Sequence, residues 1–139
     1  MCGFILANFI IENVEQVNEK IKYRGPDYTN SITTNYGNRN YHFIHNLLNI
    51  TGKFSPQPFV DEDTFCMFNG EIYNYANFGK FESDGQCLLP AYKEYGVFFP
   101  EYLDGEFAIV LVDFKKDIFL LASDVLLNLC GLGLTTSAL

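Results

Sequence analysis

The stretch GEFAIVLVDFKKDIFLLAS, residues 105–123, constrains the fold of this chain more than any other. Two apolar, β-rich runs flank the charged segment Asp113–Asp117, and that pattern predicts an antiparallel hairpin. A hairpin needs further strands and a covering layer, and the rest of the chain supplies both. GFILANF, from Gly3, is an apolar run of strand length. NVEQVNEKIK, from Asn13 to Lys22, spaces Val14, Val17 and Ile21 as one face of a helix, with Asn13 as its N-cap. YRGPDYTN marks a loop at its Gly-Pro pair, and NYHFIHNLLNI has strand composition. After the break at TGKFSPQPF, TFCMFNG reads as a strand ending at Gly70. DGQCLLPAYKEY, Asp84–Tyr95, reads as a helix that Pro90 is expected to kink. No internal repeat is present, and the pattern predicts an α+β layered domain.

At 139 residues the chain is long enough for one domain, and its 48% hydrophobic and 17% aromatic content fits a globular protein and argues against disorder. A formal charge of -8 disfavours nucleic acid and anionic membrane as partners. GFILANFII is far shorter than the roughly 20 apolar residues that span a bilayer, and no basic region precedes it. Cys2, Cys66, Cys87 and Cys130 form no CxxC pair, so neither a metal site nor a disulfide framework is expected. The expected compartment is the reducing cytoplasm, with Cys66 and Cys87 as core residues. After Asp124 come fifteen residues with no charge, 125–139. They read either as a final buried element or as a tail, not matching the family pattern described below, that a truncation or reading-frame shift near Asp124 has produced, and the second is preferred.

Cys2 poses the chemical question. It is either a small buried residue or, once Met1 is removed, a nucleophile carrying its own amine as base. Four further stretches bear on this: RGPD at Arg24–Asp27, QP at Gln57–Pro58, NGEIYN at Asn69–Asn74 and SDGQCLL at Ser83–Leu89. Singly each is a loop or a helix start; NG alone reads as a hairpin turn, and Asp84 alone as a helix N-cap. In this order behind MCGF, they resemble the N-terminal glutaminase domain of asparagine synthetase, a class II glutamine amidotransferase. DGEFAIVLVD and LLASD extend the resemblance to residue 124.

The resemblance implies an N-terminal nucleophile hydrolase: a four-layer αββα sandwich of two antiparallel sheets, incomplete at its C-terminus. It implies hydrolysis of glutamine to glutamate and ammonia, with Cys2 as nucleophile, and no cofactor or metal. Asn69 and Gly70 correspond to the oxyanion donors, and Glu71 and Asp84 to the binders of the substrate's α-ammonium group. The chemistry stands on general grounds as well. An unperturbed thiol titrates near 8.5 and an α-amine at about 7.7–8.0, so proton transfer between them is nearly balanced. Retaining Met1 would acylate the amine and remove the base.

The pattern also breaks. The family's arginine for the glutamine carboxylate falls at Leu47 in HNLLNI, leaving Arg39 as the stand-in, since Arg24 belongs to RGPD. His45 is expected to pack within its strand, and His42 is given no role. LLASD lacks the family's arginine and the glycine and Pro-Leu pair that follow. No SGGxDS-type pyrophosphate loop occurs, so asparagine synthesis would require a separate ATP-dependent synthetase domain or chain. Two alternatives stay open: a weak or inactive domain acting by binding, and an amidase for substrates lacking an α-carboxylate.

Overall fold

A computed structural model describes residues 2–49 and 53–124. The uncharged segment 125–139, Cys130 within it, and the fate of Met1 lie outside the described residues.

The described chain forms two antiparallel sheets with helices. The first has the order β1-β3-β2, built from β1 (Gly3–Ala7), β2 (Tyr28–Tyr36) and β3 (Arg39–Leu47). The second has the order β4-β5-β6-β7, from β4 (Phe59–Asp61), β5 (Thr64–Ile72), β6 (Gly105–Asp113) and β7 (Ile118–Ser123). The hairpin expected from residues 105–123 is the β6–β7 pair, in register from Asp113 opposite Ile118 to Ala108 opposite Ser123.

Alternation along β5 and β6 sorts the core into two parts. Phe65 and Met67 of β5, with Val110 and Val112 of β6, face the first sheet and pack with Phe43 of β3. Phe43 stacks on Phe65 at 4.7 Å between ring centres, which fixes one sheet over the other. Cys66, Phe68 and Ile72, with Phe107, Ile109 and Leu111, face away and pack under Leu88, Leu89, Ala91 and Tyr92.

Helix α1 (Val14–Lys22) begins after Asn13 as expected, although the Asn13 side chain makes no capping bond. It rests on β1 and β3, and Asn18 exchanges hydrogen bonds of 2.7 and 3.3 Å with the fully buried Asn46. The expected helix from Asp84 is divided. Asp84–Cys87 forms a 3-10 turn and α2 covers Leu88–Tyr95. Pro90 therefore falls in the first turn of α2, where a missing N–H costs no intrahelical bond, and the expected kink has no cause. β2 was not anticipated. Its residues are mostly exposed, and it is held by a full-length ladder to β3 across the Tyr36–Arg39 turn, where Gly37 takes φ +59.

Candidate active site

Cys2 lies immediately before β1. Continuing the β1–β3 register by one step from Gly3 opposite Asn46 places Cys2 opposite Leu47. Its Sγ accepts a hydrogen bond from the Leu48 backbone N–H at 3.4 Å. The RGPD loop holds this corner. Arg24 Nε donates to the Cys2 carbonyl at 3.4 Å, the Asp27 N–H donates to the Leu47 carbonyl at 3.1 Å, and Asp27 Oδ2 accepts from the Asn49 N–H at 2.8 Å. Gly25 is required there, because a Cβ would lie 2.0 Å from the Asn46 carbonyl oxygen.

Asn69, Gly70 and Glu71 follow one another in β5, and β1 packs against this strand. Alternation puts the side chains of Asn69 and Glu71 on the same face as Phe65 and Met67, towards the sheet that carries Cys2 and Leu47. Asn69 is only 7% exposed, and its Oδ1 is buried with no hydrogen-bond partner. Such atoms are uncommon in folded proteins and mark places where a ligand or a special role is to be sought. Gly70 takes φ +141, and a Cβ would sit 1.9 Å from the Glu106 carbonyl oxygen, so no other residue fits.

The free edge of β5 adds a second feature. β4 reaches only as far as Phe59 opposite Cys66, so beyond that point, among the described residues, β5 has no strand on this side. Two side chains take the vacated positions: Gln57 Oε1 accepts from the Phe68 N–H at 2.6 Å, and Asp84 Oδ2 accepts from the Ile72 N–H at 2.8 Å. In an antiparallel strand alternate residues direct their N–H to the same edge. The Gly70 N–H is therefore directed to this open edge, between the two clamps.

Asp84 does not act as an N-cap. Ser83 occupies that position without a side-chain capping bond, and the Asp84 carboxylate is used across to β5. Glu71 is exposed and stands directly opposite Glu106 of β6, a like-charged pair that repels unless a cation lies near. The sequence reading missed Glu106; the matching phrases NGEI and DGEF, read as paired strands, carried the signal. The neighbourhood is acidic. Partial desolvation first, then the carboxylates of Glu106, Glu71, Asp104 and Asp124, hold the Tyr73 hydroxyl above its ordinary pKa.

Leu47 is 7% exposed on the inner face. Arg39 does not replace the missing arginine. It begins β3, eight residues and about 27 Å of strand away from Leu47. His45 packs within β3 as expected. It is fully buried, and burial lowers its pKa to about 4, against a smaller upward pull from the Phe68 backbone. Both its ring nitrogens lack a partner at hydrogen-bonding geometry. His42, on the opposite face, contacts Thr33 Oγ1 at 3.1 Å through Nδ1. Cys66 and Cys87 are fully buried; desolvation raises both thiols, Cys87 to about 12, so neither is a nucleophile.

A cleft of about 390 Å³ opens elsewhere, between the β4–β5 turn, α2 and the β6–β7 turn. Its lining includes Thr64, Tyr92, Lys93, Asp113 and Lys116, and Thr64 lies about 17 Å along β5 from Asn69. Among the described residues no group of His, Cys, Asp and Glu is arranged to hold a metal ion, and no helix is long and apolar enough to cross a membrane.

Comparison with known proteins bears on the chain as a whole. A glutamine amidotransferase domain model matches residues 1–127. Asparagine synthetase [glutamine-hydrolyzing] 1 of Saccharomyces cerevisiae is 34% identical over 155 aligned positions, covering 98% of this chain and 25% of the relative. The Arabidopsis thaliana protein of the same name is 32% identical, covering 81% of this chain and 20% of its own. Asparagine synthetase [glutamine-hydrolyzing] 2 of Oryza sativa subsp. japonica is also 32% identical, over 95% and 24%. The chain thus spans about a quarter of the length of these relatives. It belongs to the glutamine amidotransferase domain family and is homologous to the glutaminase domains of asparagine synthetases.

Proposed function

We propose that the chain, once Met1 is removed, hydrolyses glutamine to glutamate and ammonia with Cys2 as nucleophile. The observation that carries the reading is the adjacency of Asn69, a buried carboxamide, and Gly70, whose N–H is directed to an open strand edge, in a chain of this family. The α-amine of Cys2 takes the thiol proton and the thiolate adds to the side-chain amide carbon. The Asn69 amide N–H and the Gly70 N–H stabilise the resulting oxyanion. The ammonium form of the amine then protonates the departing nitrogen, ammonia leaves, and a thioester remains. Water, deprotonated by the same amine, cleaves the thioester to glutamate and returns the thiol.

Glu71 and Asp84 are assigned to the α-ammonium group of glutamine. Relief of the Glu71–Glu106 repulsion supports a cation at the first of these. The two sheets, with α1 and α2 on their outer sides, are read as an αββα sandwich. The ammonia acceptor is assigned to an ATP-dependent synthetase domain or chain, because the relatives are about four times longer than this chain.

One observation favours a second reading, that of a weak or non-catalytic binder. Leu47 offers no donor to the substrate carboxylate, Arg39 is remote, and Arg24 is engaged at the Cys2 carbonyl. Loss of a charged hydrogen bond of roughly 1.5–3 kcal/mol weakens binding about ten- to a hundredfold. Glutamate release by the Met1-processed chain, compared with Cys2→Ala, separates the two. The first reading expects turnover with a high KM that Cys2→Ala abolishes; equal rates remove Cys2 from the mechanism.

A further inference from the structure

We propose that Gln57 is a positioning residue for the oxyanion donors, setting where Asn69 and Gly70 lie by holding the strand one residue upstream. The inference rests on the assignment of Asn69 and Gly70 as those donors.

Three observations support it. First, the β4–β5 register, continued from Phe59 opposite Cys66, places Gln57 opposite Phe68, the position a longer β4 would use to pair with the strand. The Gln57 main chain is committed elsewhere: its carbonyl accepts from Asn30 Nδ2 of β2 at 2.9 Å, in the other sheet. Its side chain supplies the missing ladder bond instead, at 2.6 Å to the Phe68 N–H. Second, Gln57 is 3% exposed, so its bond to the Phe68 N–H is made away from bulk water. Third, Asn69 Oδ1 has no partner of its own. Nothing at that oxygen fixes where the amide points, so its aim is inherited from the backbone of β5. That backbone passes directly into Gly70, which has no side chain to pack. On the open edge the strand is held at Phe68 by Gln57 and at Ile72 by Asp84. Asp84 is already assigned to the substrate, which leaves Gln57 as the anchor with a purely geometric task.

The same residue joins the two sheets. Asn30 belongs to the sheet that carries Cys2, and Phe68 to the sheet that carries Asn69. A shift of one sheet relative to the other changes the separation between nucleophile and oxyanion donors. Gln57 is hydrogen-bonded to both sheets and resists that shift. Misplacing a donor by a fraction of an ångström affects the transition state, where the oxyanion exists, far more than the ground state. The expected signature is a loss in kcat with little change in KM.

The test uses the Met1-processed chain with Gln57→Met, which keeps the volume but loses the acceptor, and Gln57→Glu, which keeps an acceptor oxygen in place. Tyr92→Phe, which breaks a buried hydrogen bond in the remote cleft, controls for general destabilisation. We expect Gln57→Met to lower kcat for glutamine about ten- to a hundredfold with KM within about threefold, Gln57→Glu to recover most of the loss, and Tyr92→Phe to leave kcat unchanged. An unchanged kcat in Gln57→Met, or a loss confined to KM, overturns the proposal. Amide exchange gives a readout that does not need turnover. The Phe68 N–H and the Asn69 side-chain amide should exchange at least about tenfold faster in Gln57→Met and not in Tyr92→Phe. If wild type releases no glutamate, the glutaminase reading fails by itself. Unaltered exchange at Phe68 and Asn69 then rejects the positioning role independently.

Discussion

The two ends of the β5–β6 ladder treat their polar groups in opposite ways. At the cleft end Asp113, although only 3% exposed, is surrounded by donors: the Tyr92 hydroxyl at 2.9 Å, the Lys116 N–H at 3.0 Å and the Lys116 ammonium at 3.5 Å. Burial alone would raise its pKa, but these donors outweigh burial and hold it below the ordinary carboxylate value. Lys93 is paired with Asp61 in the same cleft, and Lys116 also lies over the Tyr92 ring at 4.8 Å. Towards the other end Asn69 Oδ1 is buried with no partner, as are both nitrogens of His45 on the facing strand β3 and, on that strand's outer face, His42 Nε2. The cleft end therefore has its buried polar groups paired, and the inner face keeps hydrogen-bonding capacity unused. An unsatisfied buried group costs stability, so it persists where something other than stability requires it.

Mutation of one group from each end sharpens the contrast. Asn69→Ala removes a group with nothing bonded at Oδ1, so the melting temperature should barely move, while kcat for glutamine falls about a hundred- to a thousandfold. A loss of fold stability with activity intact would reverse the assignment of the two ends. Tyr92→Phe should do the converse. It leaves a buried carboxylate one donor short, lowering unfolding free energy by about 1–3 kcal/mol in urea titration with glutaminase activity unchanged.

A pH-dependent effect concerns His45. Its folded pKa, about 4, lies below the value near 6.5 of an unfolded histidine. Between these values the unfolded chain binds the extra proton, so stability is complete above about pH 6.5 and declines as pH falls towards 4. The slope approaches at most about 1.4 kcal/mol per pH unit. Urea midpoints measured across that window should flatten in His45→Gln relative to wild type. An identical slope in both would assign the acid sensitivity to the carboxylates instead.

The same contrast explains what the sequence disclosed. The β6–β7 hairpin, β1 and β5 carry their apolar pattern openly because both faces, or one whole face, are buried. β2 carries almost none. Its pattern is polar and exposed, and what holds it is a ladder to β3, with only the Gly37 turn and the β-branched Ile32, Thr33 and Thr34 as local signs. Asn69, Gly70, Glu71 and Asp84 stand out in the sequence because they sit in short motifs. The role proposed for Gln57 was not legible. The QP pair is visible, but its partner is the Phe68 N–H, eleven residues on, and only the early end of β4 reveals why that N–H needs one. Glu106 was missed for a related reason, since its significance depends on standing opposite Glu71. What sets Arg39 aside is strand geometry, which a one-dimensional reading does not register: the nine-residue β3 separates it from Leu47 by about 27 Å.

The central claim is that Cys2, freed of Met1, attacks a carboxamide beside Asn69. Intact mass measured before and after incubation with a diazoketone analogue of glutamine tests it in one sample. The account predicts a chain lacking its initiator methionine that gains a single adduct, mapped to Cys2 and strongly slowed in Asn69→Ala. A chain that lacks Met1 yet takes no adduct at Cys2, or takes it equally fast without Asn69, contradicts the account.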